Sequence, residues 1–191
     1  LFPYTTLFRS KIAADKGDMD SQAELGQMYN CDDYGVKNYS EAFKYLKLAA
    51  DQGDSDSQYN TGNMYYEGLG TPKDYNEAFK YFKLAAEQND VAALSQIGEM
   101  YRDGLGVTQD YNEAFKYFKQ SADQNYYAGQ YNLGKMYEEG LGVAKNESEA
   151  IKYYKLAAAQ GAPNAKDALD KLGVSYEDPY KQKSEGCFIT T

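Results

Sequence analysis

Four glutamates recur at a fixed spacing of 36 residues, and they are the first candidates for chemistry: Glu41, Glu77, Glu113 and Glu149. A carboxylate in such a position could act as a general acid or base. Each one, however, lies three residues after an Asn or Asp and opens a stretch similar to EAFKYFKLAA. This arrangement is typical of a capping box, in which the first side chain caps a helix and the glutamate reaches back to it. The sequence therefore favours helix caps over catalytic acids.

Other residue types that support catalysis or metal binding are scarce. The chain has no histidine, which removes Ser-His-Asp and Cys-His catalysis and most zinc sites. The two cysteines, Cys31 and Cys187, lie far apart and indicate neither a metal-binding pair nor a disulfide framework. The recurring Gly-x-Gly segments connect helix to helix, which argues against a phosphate-binding loop, and Asp32-Asp33 lacks the spacing of a calcium loop. We therefore expect no metal, no cofactor and no enzymatic activity.

Charge and hydropathy limit the class of partner. The net charge is −9 and the sequence pI is about 4.6. Because proteins bind nucleic-acid backbones through clustered Lys and Arg, we expect no nucleic-acid partner. The chain contains no run of 18 apolar residues that would predict insertion into a membrane. Low cysteine content fits a reducing compartment, so we expect a cytoplasmic location. Export stays open, because the first residues do not read as a natural start.

The repeated stretch must lie on elements that stack. A period of 36 residues predicts a repeat protein in which each unit buries its apolar face against its neighbours. The sequence of each repeat predicts a first helix with a G-x-M-Y pattern, then a loop containing glycine, and then a second helix similar to EAFKYFKLAA. A glycine lies in the middle of every full first helix, where it costs about 1 kcal/mol against alanine. We expect close approach of a partner helix at these four glycines: Gly26, Gly62, Gly98 and Gly134.

The two ends depart from the period. Residues 1–10, LFPYTTLFRS, do not match the second helix that the period predicts, and they resemble translated adapter or vector sequence. We interpret them as a non-native leader, with a divergent natural cap as the alternative. Residues 11–173 predict a partial second helix, four full repeats and a terminal capping helix. Residues 174–191 predict a linker and the truncated start of a C-terminal segment.

The repeat pattern A-x-x-x-L-G-x-M-Y-x-x-G-x-G-V, followed by the alanine-rich second helix, resembles the Sel-1-like repeat family, a relative of the tetratricopeptide repeats. The resemblance covers about residues 11–173 and is best over 128–161. It implies an all-α fold, a right-handed α/α superhelical solenoid of 36-residue helix–loop–helix repeats, and a bacterial source. The final GCFITT, residues 186–191, resembles the start of the bacterial CFI-box C-terminal domain.

The same resemblance implies an adaptor or scaffold whose first helices line a concave groove. The partner would be a peptide or protein segment, and the acidic composition predicts that it is basic or neutral in character. The oligomeric state stays open. Alternative functions are a β-lactamase-like or other hydrolase activity, as ascribed to some family members, and a spacer for a C-terminal functional domain. The alternative for the groove residues is that they are ordinary solvated helix positions. The candidate partner-binding residues are the first-helix positions that vary between repeats: Glu24, Gln27, Tyr59, Asn60, Asn63, Tyr66, Gln96, Glu99, Arg102, Tyr131, Asn132, Lys135 and Glu138.

Overall fold

The structure is a computed structural model that describes residues 2–31 and 37–176, and all regular elements in these ranges are α-helices. The first loop beyond Cys31 and the C-terminal residues 177–191, including the GCFITT segment, lie outside the described residues. The helices are α1 (Phe2–Asp15), α2 (Met19–Asn30), α3 (Tyr39–Asp51), α4 (Ser55–Glu67), α5 (Tyr75–Glu87), α6 (Val91–Asp103), α7 (Tyr111–Asp123), α8 (Tyr127–Glu139), α9 (Glu147–Ala159) and α10 (Pro163–Lys171).

The helices form two compact units, α1 to α6 and α7 to α10, which divide between Gln109 and Asp110. The even-numbered helices are the first helices of the predicted repeats, and the odd-numbered ones are the second helices. Buried clusters join a second helix to the first helix that follows it, as Leu46 of α3 does with Met64 of α4. Tyr154 of α9 and Leu169 of α10 form the equivalent cluster in the other unit. Each repeat therefore completes its core with its neighbour.

Helix α1 begins at Phe2, so the residues predicted to be a leader continue the helix of the partial repeat. Ser10 is buried, and its hydroxyl donates a hydrogen bond to Glu24 Oε2 of α2 at 2.9 Å. At the other end, Val174 and Tyr176 pack against the cluster around Tyr154. Two of the first three residues of the predicted linker thus contact the last hairpin.

Two of the second helices are followed by asparagines in the left-handed conformation. Asn89 and Asn125 adopt positive φ angles of 67° and 62°, in the left-handed conformation that asparagine tolerates better than most residues. The carboxylates of Asp18, Asp54 and Asp90 accept backbone N–H groups in the first turns of α2, α4 and α6. The helices α8 and α10 have no side-chain cap, because Tyr126 and Ala162 at these positions carry no short side chain that could accept a backbone N–H.

The predicted capping boxes are only half correct. Asp74 accepts the backbone N–H of Glu77, as expected, but its own N–H donates to the Tyr65 carbonyl oxygen at 2.9 Å. Because that N–H is already bonded, the glutamate has no reason to reach back. Glu77 instead pairs with Lys80 one turn later, at 3.2 Å. The same i,i+3 ion pair is made by the other three repeated glutamates, Glu41, Glu113 and Glu149.

The loop glycines mark places where one repeat lies directly on the backbone of the previous one. A Cβ atom on Gly142 would lie 2.1 Å from the Tyr111 carbonyl oxygen, and one on Gly106 would lie 2.3 Å from that of Tyr75. Both glycines also have positive φ. The space beside the second glycine of each Gly-x-Gly loop is therefore occupied by protein backbone, which confirms that the loop connects two helices. The same crowding occurs inside the first helices, where a Cβ on Gly62 would lie 2.7 Å from the Phe82 ring.

A ladder of glutamines joins successive repeats, and the sequence analysis missed it. Gln52 Nε2 donates to Gln22 Oε1 at 2.7 Å, and Gln88 Nε2 donates to Gln58 Oε1 at 2.8 Å. The buried Gln22 and Gln58 in turn donate to backbone carbonyl oxygens of the preceding second helices. In the other unit, Gln160 donates to Gln130 at 2.8 Å. The signal was available, because with the repeat period glutamine recurs at all four second-helix ends and at three of the four first-helix positions, where Leu94 is the exception.

The second helices α3 and α5 are joined by a lysine, aspartate and tyrosine network. Tyr81 Oη donates to Asp51 Oδ1 at 2.7 Å, and Lys47 Nζ lies 2.6 Å from Asp51 Oδ2. Burial and the hydrogen bond to Asp51 raise the pKa of Tyr81 to about 12. The hydrogen bond to Asp51 raises the pKa of Lys47. Partial burial acts to raise the pKa of Asp51, but the hydrogen bonds from Lys47 and Tyr81 prevail and lower it.

Replacing Gly142 by alanine should destabilise the protein more than replacing Gly161 by alanine. Both residues have positive φ, at 66° and 82°, so both variants carry the strain of a left-handed alanine, about 1–2 kcal/mol. Only at Gly142 would the new Cβ meet fixed backbone, whereas nothing lies within 4 Å at Gly161. Urea unfolding of the two variants measures the difference, which we expect to exceed about 1 kcal/mol. Equal losses would contradict close backbone approach.

The tyrosine network should make stability depend on alkaline pH. An unfolded tyrosine has a pKa of about 10, so the contribution of Tyr81 is complete below that pH and is lost as the pH rises towards about 12. Between about pH 9.5 and 11.5, the free energy of unfolding should fall less in Tyr81→Phe than in the parent protein. The difference should be on the order of 1 kcal/mol after allowing for partial solvation. Tyr127→Phe, at an exposed tyrosine, is the control and should fall like the parent.

Candidate functional site

The candidate partner-binding residues lie on the first helices, and most keep part of their side chain accessible. Glu24 and Gln27 are exposed. Asn132 is the exception, because it is buried with 6% of its surface exposed and offers little to a partner. The other candidates are half-buried: Tyr59, Asn60, Asn63, Tyr66, Gln96, Glu99, Arg102, Tyr131, Lys135 and Glu138.

Two of the candidate tyrosines also belong to the packing. The Tyr59 ring lies 5.8 Å from the Phe82 ring, and the Tyr131 ring lies 5.6 Å from the Tyr154 ring, in tilted arrangements. Phe82 and Tyr154 occupy equivalent positions of their second helices and are fully buried. Each candidate tyrosine therefore covers a buried ring with one face. Sequence variation between repeats did not reveal this second role.

One group of candidates comes together at the C-terminal ends of α4 and α6. Burial raises the pKa of Tyr66, and the nearby carboxylates of Glu99 and Asp103 add to the shift. Arg102 donates from Nε to Asp103 Oδ1 at 2.7 Å and from Nη2 to Asp103 Oδ2 at 2.7 Å, in a bidentate ion pair. That pair raises the pKa of Arg102, with a further contribution from Glu99. The tyrosine hydroxyl thus lies in an acidic neighbourhood whose cation is already engaged.

A second group lines a polar pocket of about 370 Å³ within the α7 to α10 unit. We call it the α8–α10 pocket. Three of its residues were sequence candidates, whereas Tyr154 and the α10 residues were not. The α10 residues could have been found from their i, i+3, i+4, i+7 spacing, which places them on one helix face. The lining residues are Tyr131, Lys135, Glu138, Glu139, Tyr154, Asn164, Asp167, Ala168 and Lys171.

A hydrogen bond fixes one carboxylate of this pocket. Tyr154 Oη donates to Glu138 Oε2, although no part of the Tyr154 side chain is exposed. Burial raises the pKa of Tyr154, and the hydrogen bond to Glu138 raises it further. The phenol therefore stays protonated throughout the physiological pH range and keeps its donor role. Glu138 is held against the pocket wall as an acceptor.

Charge is divided unequally between the helices of the α1 to α6 unit. The first helices α2, α4 and α6 carry six acidic side chains and only one basic one, Arg102. The second helices α3 and α5 each carry two acidic and two basic side chains. Several of their lysines are neutralised by ion pairs, such as Lys44 with Glu41 and Lys80 with Glu77. The candidate surface is therefore the acidic one.

The described residues give little support to other kinds of site. In the ranges 2–31 and 37–176, no three His, Cys, Asp or Glu side chains are grouped so that they could hold a metal ion. The helices there are also too short and too polar for any of them to cross a bilayer. The candidate site is thus a polar and aromatic protein surface.

Comparison with known families gives four consecutive matches. The model of the Sel1 repeat matches residues 20–54, 55–90, 91–126 and 128–161, which follow the predicted period. No curated protein matches the chain significantly. The matched segments account for most of the described structure.

Solved structures show the same fold. A Sel1 repeat protein from Oxalobacter formigenes is 29% identical, with a TM-score of 0.81, and the match covers 91% of this chain and 72% of that one. A protective antigen of uropathogenic Escherichia coli with an SLR fold is 30% identical, with a TM-score of 0.77, and the match covers 94% of this chain but only 40% of that one. Cysteine rich protein B of Helicobacter pylori, at 22% identity and a TM-score of 0.57 over 70% of this chain and 98% of that one, shows the fold alone. These matches confirm the predicted all-α repeat solenoid.

Truncating a candidate tyrosine should affect stability as well as any binding. In Tyr59→Ala the contact with Phe82 is lost, and we expect a loss of about 1–2 kcal/mol in the free energy of unfolding. Asn63→Ala, one turn further along the same helix, should change it by less than about 0.5 kcal/mol. Chemical denaturation of both variants measures this. Equal stability of Tyr59→Ala and the parent would show that the tyrosine is not part of the packing.

Proposed function

The chain belongs to the Sel1 repeat family, and we propose that it binds a basic or neutral peptide or protein segment along its first helices. Members of this family are generally protein–protein interaction scaffolds and are typically non-catalytic. The observation that carries this proposal is the division of charge in the α1 to α6 unit. The first helices there leave acidic side chains such as Asp56 and Glu67 exposed and without an ion pair among the described residues. Electrostatic complementarity of this kind selects partners and speeds their association.

The residue types on the first helices also suit a peptide. Tyr66 presents an aromatic ring and a hydroxyl, which provide a large contact area at low cost in side-chain entropy. Asn60 and Asn63 carry amides that can both donate to and accept from a peptide backbone. A peptide bound there would meet aromatic surface, amides and carboxylates within a single unit.

The proposal predicts which charges control binding. Peptides would be selected from a random displayed library with the full chain, and the affinity of the best one measured for the parent and two double variants. Glu67→Gln/Glu99→Gln removes two charges from first helices, and Glu87→Gln/Glu147→Gln removes two from exposed positions on second helices. The first double variant should bind about tenfold more weakly, a loss of about 1.4 kcal/mol, with a shallower salt dependence. The second should bind like the parent.

The matched net charge of the two variants makes the result decisive. Loss of affinity in the second-helix variant alone would move the binding surface to the second helices and overturn the proposal. Equal losses in both variants would show that only the overall charge matters. Failure to select any peptide would also contradict a peptide-binding scaffold.

A further inference from the structure

The hydroxyl of Tyr154 is not required by the packing of the repeats. Equivalent positions in the other second helices hold Leu46, Phe82 and Phe118, and all of these side chains are fully buried. A ring or an aliphatic side chain without oxygen therefore fills this position well. The oxygen of Tyr154 adds a buried polar group, which costs free energy unless it is hydrogen-bonded. Its partner is Glu138, at the wall of the α8–α10 pocket.

The partner of Tyr154 is also peculiar to this repeat. The positions equivalent to Glu138 hold Asn30, Tyr66 and Arg102, so the tyrosine–glutamate pair occurs once in the four repeats. One carboxylate oxygen of Glu138 accepts from the tyrosine, and Oε1 has no hydrogen-bond partner among the described residues. The pair therefore presents one unused oxygen at a fixed place.

The remaining charges of the pocket are less constrained. The carboxylates of Glu139 and Asp167 and the ammonium groups of Lys135 and Lys171 also line it, and none of them makes an ion pair within 2–31 or 37–176. Lysine carries its charge on a flexible stem and can turn towards solvent, whereas Glu138 is held by a buried donor. The fixed charge of the pocket is thus negative. Carboxylates also outnumber the ammonium groups in its wall.

We propose that the α8–α10 pocket receives a guanidinium group, the side chain of an arginine within the bound segment, with Glu138 as its anion and Tyr154 as the residue that positions Glu138. A planar guanidinium can use Glu138 Oε1 and a second carboxylate together, and it can stack on an aromatic ring such as that of Tyr131. A volume of about 370 Å³ is within the range of small-ligand pockets. This assignment rests on the proposed function only in naming a peptide as the source of the arginine.

The test uses small probes and the full chain. NMR titrations would follow N-acetyl-arginine amide, the neutral citrulline counterpart and free arginine against the parent protein. We expect the arginine amide to bind with a Kd on the order of 1 mM and to shift signals of α8 and α10, with citrulline at least roughly tenfold weaker. Glu138→Gln should weaken the arginine amide about tenfold, whereas Glu147→Gln, at an exposed glutamate on α9, should not.

Tyr154→Phe separates positioning from folding. Phenylalanine already fills the same position in other repeats, so the variant should keep the parent's spectrum and stability while binding the arginine amide roughly threefold more weakly. An unchanged affinity in this variant would overturn the positioning role. Arginine binding that is equal to citrulline binding, or unaffected by Glu138→Gln, would overturn the pocket assignment.

The remaining outcomes distinguish the source of the ligand and the two proposals. Free arginine that binds tenfold more tightly than the amide would overturn a peptide source, because the lysines would then be holding its carboxylate. No binding of any probe, with library peptides still bound through the first helices of the α1 to α6 unit, would remove the pocket and leave the scaffold. Binding of the arginine amide, without any peptide selected from the library, would support the pocket and overturn the peptide-binding scaffold.

Discussion

Close approach between helices at glycine is the constraint on which the other contacts depend. At Gly26, Gly62 and Gly134 the neighbouring second helix comes so near that a Cβ atom would overlap Leu46, Phe82 or Tyr154. A glycine inside a helix costs about 1 kcal/mol relative to alanine. The cost is offset because the gap admits a large side chain that becomes fully buried, worth about 1.5–3 kcal/mol. Removing the glycine would move the ring and the repeat that packs on it.

This buried side chain also shapes the surface that is offered to partners. Because Phe82 and Tyr154 fill the gap beside the glycines, Tyr59 and Tyr131 lie over them and close the core from the solvent side. The first-helix tyrosines are thus anchored on one face and accessible on the other. A partner would meet aromatic groups that are already held in place, which lowers the entropy lost on binding. In the proposed binding surface, the same residues would therefore serve both packing and recognition.

The sequence predicted the period, the helix caps and the glycine contacts, because these depend on residues within one repeat or at equal spacing. Asn89 and Asn125, for example, are identified as helix ends by their type alone. It did not predict that Asp74 N–H bonds the Tyr65 carbonyl, which leaves Glu77 to pair with Lys80. Nor did it predict the burial of Asn132. Such outcomes depend on how neighbouring helices are offset, and residue spacing does not encode that offset directly.

The ion pairs of the second helices affect the distribution of surface charge more than they affect stability. Exposed i,i+3 pairs such as Glu77 with Lys80 contribute about 0–1 kcal/mol each, so the fold does not require them. Their effect is to offset the charge of Lys44 in α3 and Lys80 in α5, which would otherwise attract acidic groups to those helices. The first helices α2, α4 and α6 contain no lysine, so Arg102 is the one basic side chain within them that offsets the negative charge of their carboxylates. Under the proposed function, an approaching basic segment would be directed to the helices that also carry tyrosine and asparagine, and the acidic composition of the chain would act locally rather than uniformly.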